Sequence, residues 1–161
     1  MPRTMLLVSS ALLAAALSTE VLAAEGKFDW QSCYAGPAQL IQHADGIMSG
    51  SYSVIGMSPG AEGSPMHMLS GRCLGAFSLV NGQIDDNGTC EYVDAAGDKF
   101  FGAYSRKGDA AKAEGTWHYV HGTGKFDGIT GGGNWMPIGN FPPVPGMTSA
   151  CNHEWGNYSI K

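Results

Sequence analysis

Residues 121–135 read HGTGKFDGITGGGNW, a glycine-rich stretch that contains the dipeptide Gly-Lys. A nucleoside-triphosphate loop requires a glycine five positions before its last glycine and a Ser or Thr directly after the lysine. Tyr119 and Phe126 occupy those positions. The dinucleotide fingerprint fails as well, because its third glycine would fall at Asp127, whose carboxylate repels an anion. We therefore interpret the stretch as turns of a small β protein and not as a phosphate site.

Short β-rich segments recur on both sides of this stretch, each bounded by glycine, proline or asparagine turn signals. With 24 glycines and only 14% charged residues, the composition favours short strands joined by tight turns. Two short helical turns are expected near residues 37–42 and 109–113. Closing a sheet of seven or eight antiparallel strands removes its edges, so we predict an all-β antiparallel barrel. The predicted strands are 47–55, 67–80, 89–94, 99–106, 115–121, 133–136 and 152–160.

Arg3 is followed by an apolar run over residues 5–17 and by small residues that end at Ala23. This pattern predicts a secretory signal peptide over residues 1–23, since the run is shorter than the ~20 residues of a membrane span. Residues 24–161 are predicted to form one barrel domain, exported to the periplasm or the extracellular space. No other segment is long and apolar enough to predict a transmembrane span.

The charge of the chain excludes some classes of partner. When Arg3 and Glu20 of the predicted signal peptide are left out, the chain keeps 8 basic and 13 acidic residues, which gives a net charge of −5. It has no basic cluster. Nucleic acid and anionic membrane surfaces are therefore not expected as partners.

Four cysteines in an exported chain predict two disulfides, and sequence alone allows three pairings. If Asn81-Gly82 forms a type I′ hairpin turn, Cys73 lies opposite Cys90 at a non-hydrogen-bonded pair, within disulfide reach. Cys33 would then pair with Cys151 and join the two ends of the chain. A competing turn over residues 85–88 would shift this register.

The segment VHGTGKFDGITGGG, residues 120–133, resembles the part of allene oxide cyclases and dirigent proteins in which a strand ends in a glycine turn before a phenylalanine and another glycine. These families are eight-stranded antiparallel barrels that hold an apolar ligand and are often trimeric. The resemblance implies that Gly122 and Gly124 allow the chain to reverse and that Phe126 packs inward. It transfers no catalytic residue. With the signal peptide and the cysteines, the chain resembles a bacterial exported branch of this barrel.

Strand alternation predicts an aromatic binding face. Trp117, Tyr119 and His121 share one face of the predicted strand 115–121, and Tyr104 lies on the preceding predicted strand, 99–106. Together with Trp135, these residues are the predicted ligand-binding set for a small apolar or aromatic molecule. No cofactor is expected, and a homo-oligomer is implied by the resemblance.

Three other functions stay open beside a binding protein. An isomerase or cyclase would require a charged group inside the barrel, for which His121, Glu114 and Glu91 are the candidates. A copper-binding protein would use Met66, His67 and Met68, although alternation places His67 on the opposite face from the two methionines. A structural or interaction protein would fill its barrel with its own side chains.

The proline-rich segment over residues 137–150 is long for a turn and unsuited to a central strand. Together with the loop at residues 58–65, it is expected to cover one barrel mouth, either as a lid or as a seal of the core.

Overall fold

The structure of the protein, a computed structural model, describes residues 23–140 and 144–161, without the side chain of Asn140. The predicted signal peptide therefore lies outside the described residues except for Ala23. Eight antiparallel strands form a closed barrel in sequential order, with β1 paired to β8. The all-β barrel prediction is confirmed. The strands are β1 Ala24–Ala44, β2 Ile47–Ser58, β3 Leu69–Val80, β4 Gln83–Val93, β5 Lys99–Asp109, β6 Gly115–Gly122, β7 Thr130–Asn140 and β8 Met147–Ile160.

The first strand is not among the strands predicted from the sequence, and the helical turn predicted at residues 37–42 is wrong. Residues 38–42 pair with β2, and the first half of β1 pairs with β8. Phe28, Trp30 and Tyr34 point inward with the two-residue period of a strand. Residues 109–113 form a hydrogen-bonded turn and not a helix, with Ala113 N donating to Asp109 O at 2.7 Å.

The β3–β4 hairpin has the predicted register. Asn81 and Gly82 have φ values of 50° and 80°, as a type I′ turn requires. Cys73 lies opposite Cys90 with Cα atoms 4.1 Å apart, and the two are disulfide-bonded. The second disulfide, Cys33–Cys151, joins β1 to β8, so both predicted pairings are confirmed. Residues 85–88 belong to β4, and the competing turn does not form.

One end of the barrel, which we call the closed end, is filled by the core. The glycine-rich stretch at residues 121–135 begins at the end of β6 and forms a short 3-10 turn over Gly124–Phe126. Phe126 is fully buried, as the resemblance implies, and Gly124 has φ 57°. A Cβ at Gly122 would collide with the Phe126 carbonyl, so glycine is required there for a close approach of the backbone. The remaining core at this end includes Met66, Leu69, Phe100, Tyr119 and Ile129.

The opposite end, the open end, carries the turns between β1 and β2, β3 and β4, β5 and β6, and β7 and β8. The expectation that residues 58–65 and 137–150 cover the same mouth is therefore wrong. In an up-and-down barrel, successive connections alternate between ends, and the β2–β3 connection lies at the closed end. Residues 141–143 of the proline-rich segment lie outside the described residues.

In the part of the chain that the structure describes, no helix has the length and apolarity to cross a membrane.

Candidate functional site

A cavity of about 390 Å³ occupies the barrel interior toward the open end. Its volume is within the range of roughly 300–1,000 Å³ that is common for small-molecule sites. Seven aromatic rings line its wall, and carboxyl groups from two strands reach it. The lining includes Tyr34, Tyr52, Val54, Phe77, Asp86, Tyr92, Tyr104, Arg106, Trp117, Trp135, Ala150, Asn152, Glu154 and the Cys73–Cys90 disulfide.

Inward-facing glycines make room for these rings. A Cβ at Gly115 would collide with the Trp135 indole, and one at Gly75 would collide with the Tyr104 hydroxyl. The same relation holds between Gly102 and Trp117, whose ring lies within 3.0 Å of the position of such a Cβ. Much of the glycine content therefore serves ring packing inside the barrel, in addition to the turns that composition predicted.

Glu154 lies at the inner end of the cavity and is 8% exposed. Its carboxylate accepts hydrogen bonds from Trp30 Nε1 at 3.0 Å, Tyr34 Oη at 2.9 Å and Ser32 Oγ at 3.4 Å. Because the Tyr34 hydrogen is directed to Glu154, the Tyr92 hydroxyl donates to Tyr34 Oη at 2.7 Å. Tyr92, Tyr34 and Glu154 thus form a continuous hydrogen-bonded chain, the inner relay.

A second chain of the same composition lies nearer the open end. Tyr52 Oη donates to Asp86 Oδ1 at 2.7 Å, and Tyr104 Oη donates to Tyr52 Oη at 2.7 Å. We call Tyr104, Tyr52 and Asp86 the outer relay. One cavity therefore contains two carboxyl groups, each joined to a pair of tyrosines.

Burial shifts the proton affinities of both relays. Desolvation raises the pKa of Glu154 above the ordinary carboxyl value, and the donors Trp30, Tyr34 and Ser32 oppose the shift. Desolvation also raises the pKa of Asp86, against the hydrogen bond from Tyr52 and the positive charge of Arg106. Desolvation raises the pKa of the phenol of Tyr34 as well, with a further contribution from the Glu154 charge. Each carboxyl thus holds its proton to higher pH than a solvated carboxyl does.

Arg106 brings a cation to the cavity wall near the open end. Its Nε donates to the Ala113 carbonyl at 2.9 Å, and Nη2 donates to the Ala110 carbonyl. Its guanidinium also lies 5.8 Å from the centre of the Trp135 ring. These contacts connect the β5–β6 turn to the cavity wall.

Three of the five predicted ligand-binding residues line the cavity: Tyr104, Trp117 and Trp135. Tyr119 lies in the core of the closed end, where its hydroxyl has no hydrogen-bond partner among the described residues. His121 lies on the exterior, stacked on Phe101 with ring centres 6.2 Å apart.

The exterior position of His121 corrects the face assigned from alternation. A bulge in β6 pairs His121 with Phe101 and Tyr119 with Gly102, which leaves Val120 unpaired. This extra residue moves every later side chain to the other face of the strand.

The other candidate groups do not meet inside the barrel. Glu114 is exposed, and Glu91 forms a salt bridge with Lys99 at 3.3 Å with both side chains more than one-third exposed. Met66 is fully buried in the core, whereas His67 and Met68 are exposed, so these three copper candidates do not converge. Among the described residues, no group of three His, Cys, Asp or Glu side chains is arranged to hold a metal ion.

Neither cavity carboxyl is among the candidates drawn from the sequence, although alternation contains a signal for each. Glu154, Tyr158 and Ile160 share one face of β8, and the two apolar residues mark that face as the interior. Asp86, Cys90 and Tyr92 likewise share one face of β4. A carboxyl on an apolar inward face is the pattern that predicts a buried acid.

Comparison with known proteins yields a structural likeness. No protein-family model matches the chain, and no curated protein matches it in sequence. The structure is similar to that of the pterocarpan synthase dirigent protein GePTS1, with a TM-score of 0.54 and 11% sequence identity over 92% of this chain and 100% of that chain. At this identity the likeness concerns the fold alone. The chain therefore has a dirigent-like barrel fold.

Proposed function

We propose that the protein is an exported binding protein that holds a small apolar or aromatic molecule inside its barrel. The observation that carries this proposal is the ring-walled cavity of about 390 Å³ toward the open end. A barrel with a purely structural role would fill this space with its own side chains, since protein interiors are close-packed. Tyr104, Trp117 and Trp135 are the proposed apolar contacts.

Export is supported by the two disulfides, because such bonds persist in oxidising compartments. Maturation after residue 23 belongs to the same proposal, and the N-terminal sequence of the protein isolated from its host would test it.

The binding test uses the neutral fluorophore N-phenyl-1-naphthylamine, whose emission rises in an apolar site. We expect saturable binding with one probe per chain. Ala150 lines the cavity on β8, so Ala150→Phe should fill the space and abolish binding. Ala35 faces outward on the adjacent β1, and Ala35→Phe is the matched control that should bind normally. Saturable binding that survives Ala150→Phe, or no binding to the wild type, would contradict the proposal.

An isomerase or cyclase is the second candidate, and the two relays favour it. Glu154 and Asp86 lie at different depths of one cavity, each with a tyrosine pair and a raised pKa. Two separate carboxyls would allow one to release a proton while the other accepts one. The similar structure GePTS1 is itself named a synthase.

Proton transfer can be tested on whatever ligand the protein carries from its host. A ligand that co-purifies with the protein is identified by native mass spectrometry and incubated in deuterium oxide. The enzyme hypothesis expects carbon-bound hydrogen to exchange faster with the wild type than with Glu154→Gln or Asp86→Asn. Equal exchange rates with the wild type and the two variants would indicate a binding protein without catalysis.

Self-association is a separate proposal, supported by apolar side chains on the exterior of β2 and β3. Ile55 is 66% and Leu74 56% exposed there. Sedimentation velocity tests it, and a monomer at all concentrations would exclude it.

A further inference from the structure

Asp86 differs from the other buried carboxyl in its hydrogen bonding. It is 9% exposed and accepts one hydrogen bond, from Tyr52 to Oδ1. Its second oxygen has no hydrogen-bond partner among the described residues, whereas the carboxylate of Glu154 has three donors. Buried carboxylates are normally paired or fully hydrogen-bonded, so Asp86 retains an unused acceptor in the cavity wall.

The neighbouring strand places a cation opposite Asp86, but the two do not pair. Asp86 lies directly opposite Arg106, just as Asp85 lies opposite Lys107 on the exterior. The exterior pair forms a salt bridge of 2.7 Å. Among the described residues, no salt bridge joins Asp86 to Arg106, whose guanidinium instead donates to the carbonyls of the β5–β6 turn. The interior acid is thus left without an ion pair.

The surrounding wall is suited to a positive charge. Tyr52, Tyr104 and Trp135 line the cavity with Asp86, and Tyr104 packs edge-on against Trp135 with ring centres 6.0 Å apart. Aromatic faces attract cations electrostatically. The guanidinium of Arg106 over the Trp135 ring already makes such a contact in this protein.

We propose that the cavity binds an organic cation, namely an amine with an apolar or aromatic body, whose ammonium pairs with Asp86 while its body lies against Tyr104 and Trp135. This inference rests on the proposed binding function and narrows its ligand class.

The other charged and titratable groups around Asp86 also influence how strongly it attracts a cation. Arg106 on β5 repels a cation, but an ammonium in direct contact with the Asp86 carboxylate lies closer to that carboxylate than to the Arg106 guanidinium, which is directed to the carbonyls of Ala110 and Ala113. Because Coulomb interactions weaken with distance, the attraction exceeds the repulsion. Asp85 on β4 adds negative charge, as does the ionised form of Glu154 on β8, whereas Tyr52 and Tyr104 donate hydrogen bonds and stay neutral because burial raises their pKa. Burial raises the pKa of Asp86, so its charge appears only as pH rises through that pKa. Amine affinity should therefore increase with pH over this window and then level off.

The test compares 2-(aminomethyl)naphthalene with its neutral isostere 2-ethylnaphthalene by titration of the intrinsic tryptophan fluorescence. Asp86→Asn should weaken amine binding roughly tenfold to a hundredfold, as expected for loss of a charged hydrogen bond. The affinity for the neutral isostere should not change. Asp85→Asn is the matched control, since Asp85 faces outward against Lys107, and it should change amine affinity far less than Asp86→Asn does. Near-UV circular dichroism of Asp86→Asn checks that the fold is kept.

The outcomes separate the two levels of the proposal. If folded Asp86→Asn loses affinity for both ligands equally, or keeps its affinity for the amine, the cation inference is overturned. The proposal that the cavity binds a small molecule then still stands. If the wild type binds neither of the two naphthalene compounds nor N-phenyl-1-naphthylamine, both the cation inference and the proposed binding function are overturned.

Discussion

Hydrogen bonding divides the tyrosines of the barrel interior into two kinds. The hydroxyls of Tyr34, Tyr52, Tyr92 and Tyr104 are joined in the two relays. The Tyr119 hydroxyl is also buried but has no partner among the described residues. The energetic value of a buried hydroxyl depends on its partners, so one substitution should have different effects in the two settings.

Tyr34→Phe should lower the free energy of unfolding by about 1–3 kcal/mol, because Glu154 loses a donor and the Tyr92 hydroxyl loses its acceptor. Tyr119→Phe is the matched control and should be neutral or stabilising, since it removes an unpaired buried group. Equilibrium unfolding in urea measures both. Equal losses in the two variants would mean that the inner relay adds nothing to stability.

Glu154 should make stability fall with rising pH. Burial raises its pKa in the folded state, so the folded protein binds more protons than the unfolded chain between the ordinary and the raised pKa. Its contribution is complete below the ordinary carboxyl pKa and is lost as pH rises through the raised one. A tenfold difference in proton affinity between the folded and unfolded states corresponds to about 1.4 kcal/mol of stability.

Glu154→Gln should remove this contribution to the pH dependence. Urea unfolding of both proteins between about pH 4 and 8 measures the difference in their free energies of unfolding, which should shift in favour of the variant as pH rises. Parallel pH profiles would contradict the assigned cause.

Within the sheet, the fit between glycines and rings determines how neighbouring strands pack. Trp135 on β7 lies over Gly115 on β6, which are directly opposite in register. Placing a glycine opposite a large ring is a known device in sheets, since the ring covers the exposed backbone. The cavity wall therefore depends on small residues as much as on aromatic ones.

Gly115→Ala should cost about 1–3 kcal/mol through overpacking and should change the tryptophan emission, because the Trp135 indole must move. Gly139→Ala on β7 is the matched control, since an added Cβ there meets nothing within 4 Å. It should be neutral or stabilising by about 0.4–1 kcal/mol. Both are measured by urea unfolding followed by fluorescence, and unchanged emission in Gly115→Ala would show that the ring does not depend on this glycine.

For the molecule as a whole, the Cys33–Cys151 disulfide reinforces the pairing that closes the barrel. It spans a sequence separation of 118 residues on the exterior face, whereas Cys73–Cys90 spans 17 within one hairpin and faces the cavity. A long covalent loop restricts the unfolded chain more than a short one does.

Replacing Cys33 and Cys151 together by alanine should lower the free energy of unfolding by about 5 kcal/mol in the loop-entropy description. Binding of N-phenyl-1-naphthylamine by the folded fraction should be retained, since this disulfide does not line the cavity. Guanidinium unfolding measures the stability. A cost below about 2 kcal/mol would contradict the entropic account.

Features that depend on local geometry could be predicted from the amino-acid sequence. Asn81-Gly82 specifies a type I′ turn, the turn sets the hairpin register, and the register pairs Cys73 with Cys90. Alternation likewise indicated that Trp117 faces the interior. These inferences hold because backbone dihedral preferences and the two-residue period act over a few neighbouring residues.

Features that depend on long-range pairing required the closed barrel. The role of β1 depends on pairing with β8 across more than a hundred residues, and the β6 bulge that moves His121 outward depends on the register with β5. The partners of Glu154 come from β1, and the hydrogen-bond donor to Asp86 comes from β2. Such contacts join distant segments whose register no local preference encodes, so the two carboxyl relays and the cavity that contains them form only when all eight strands are in place.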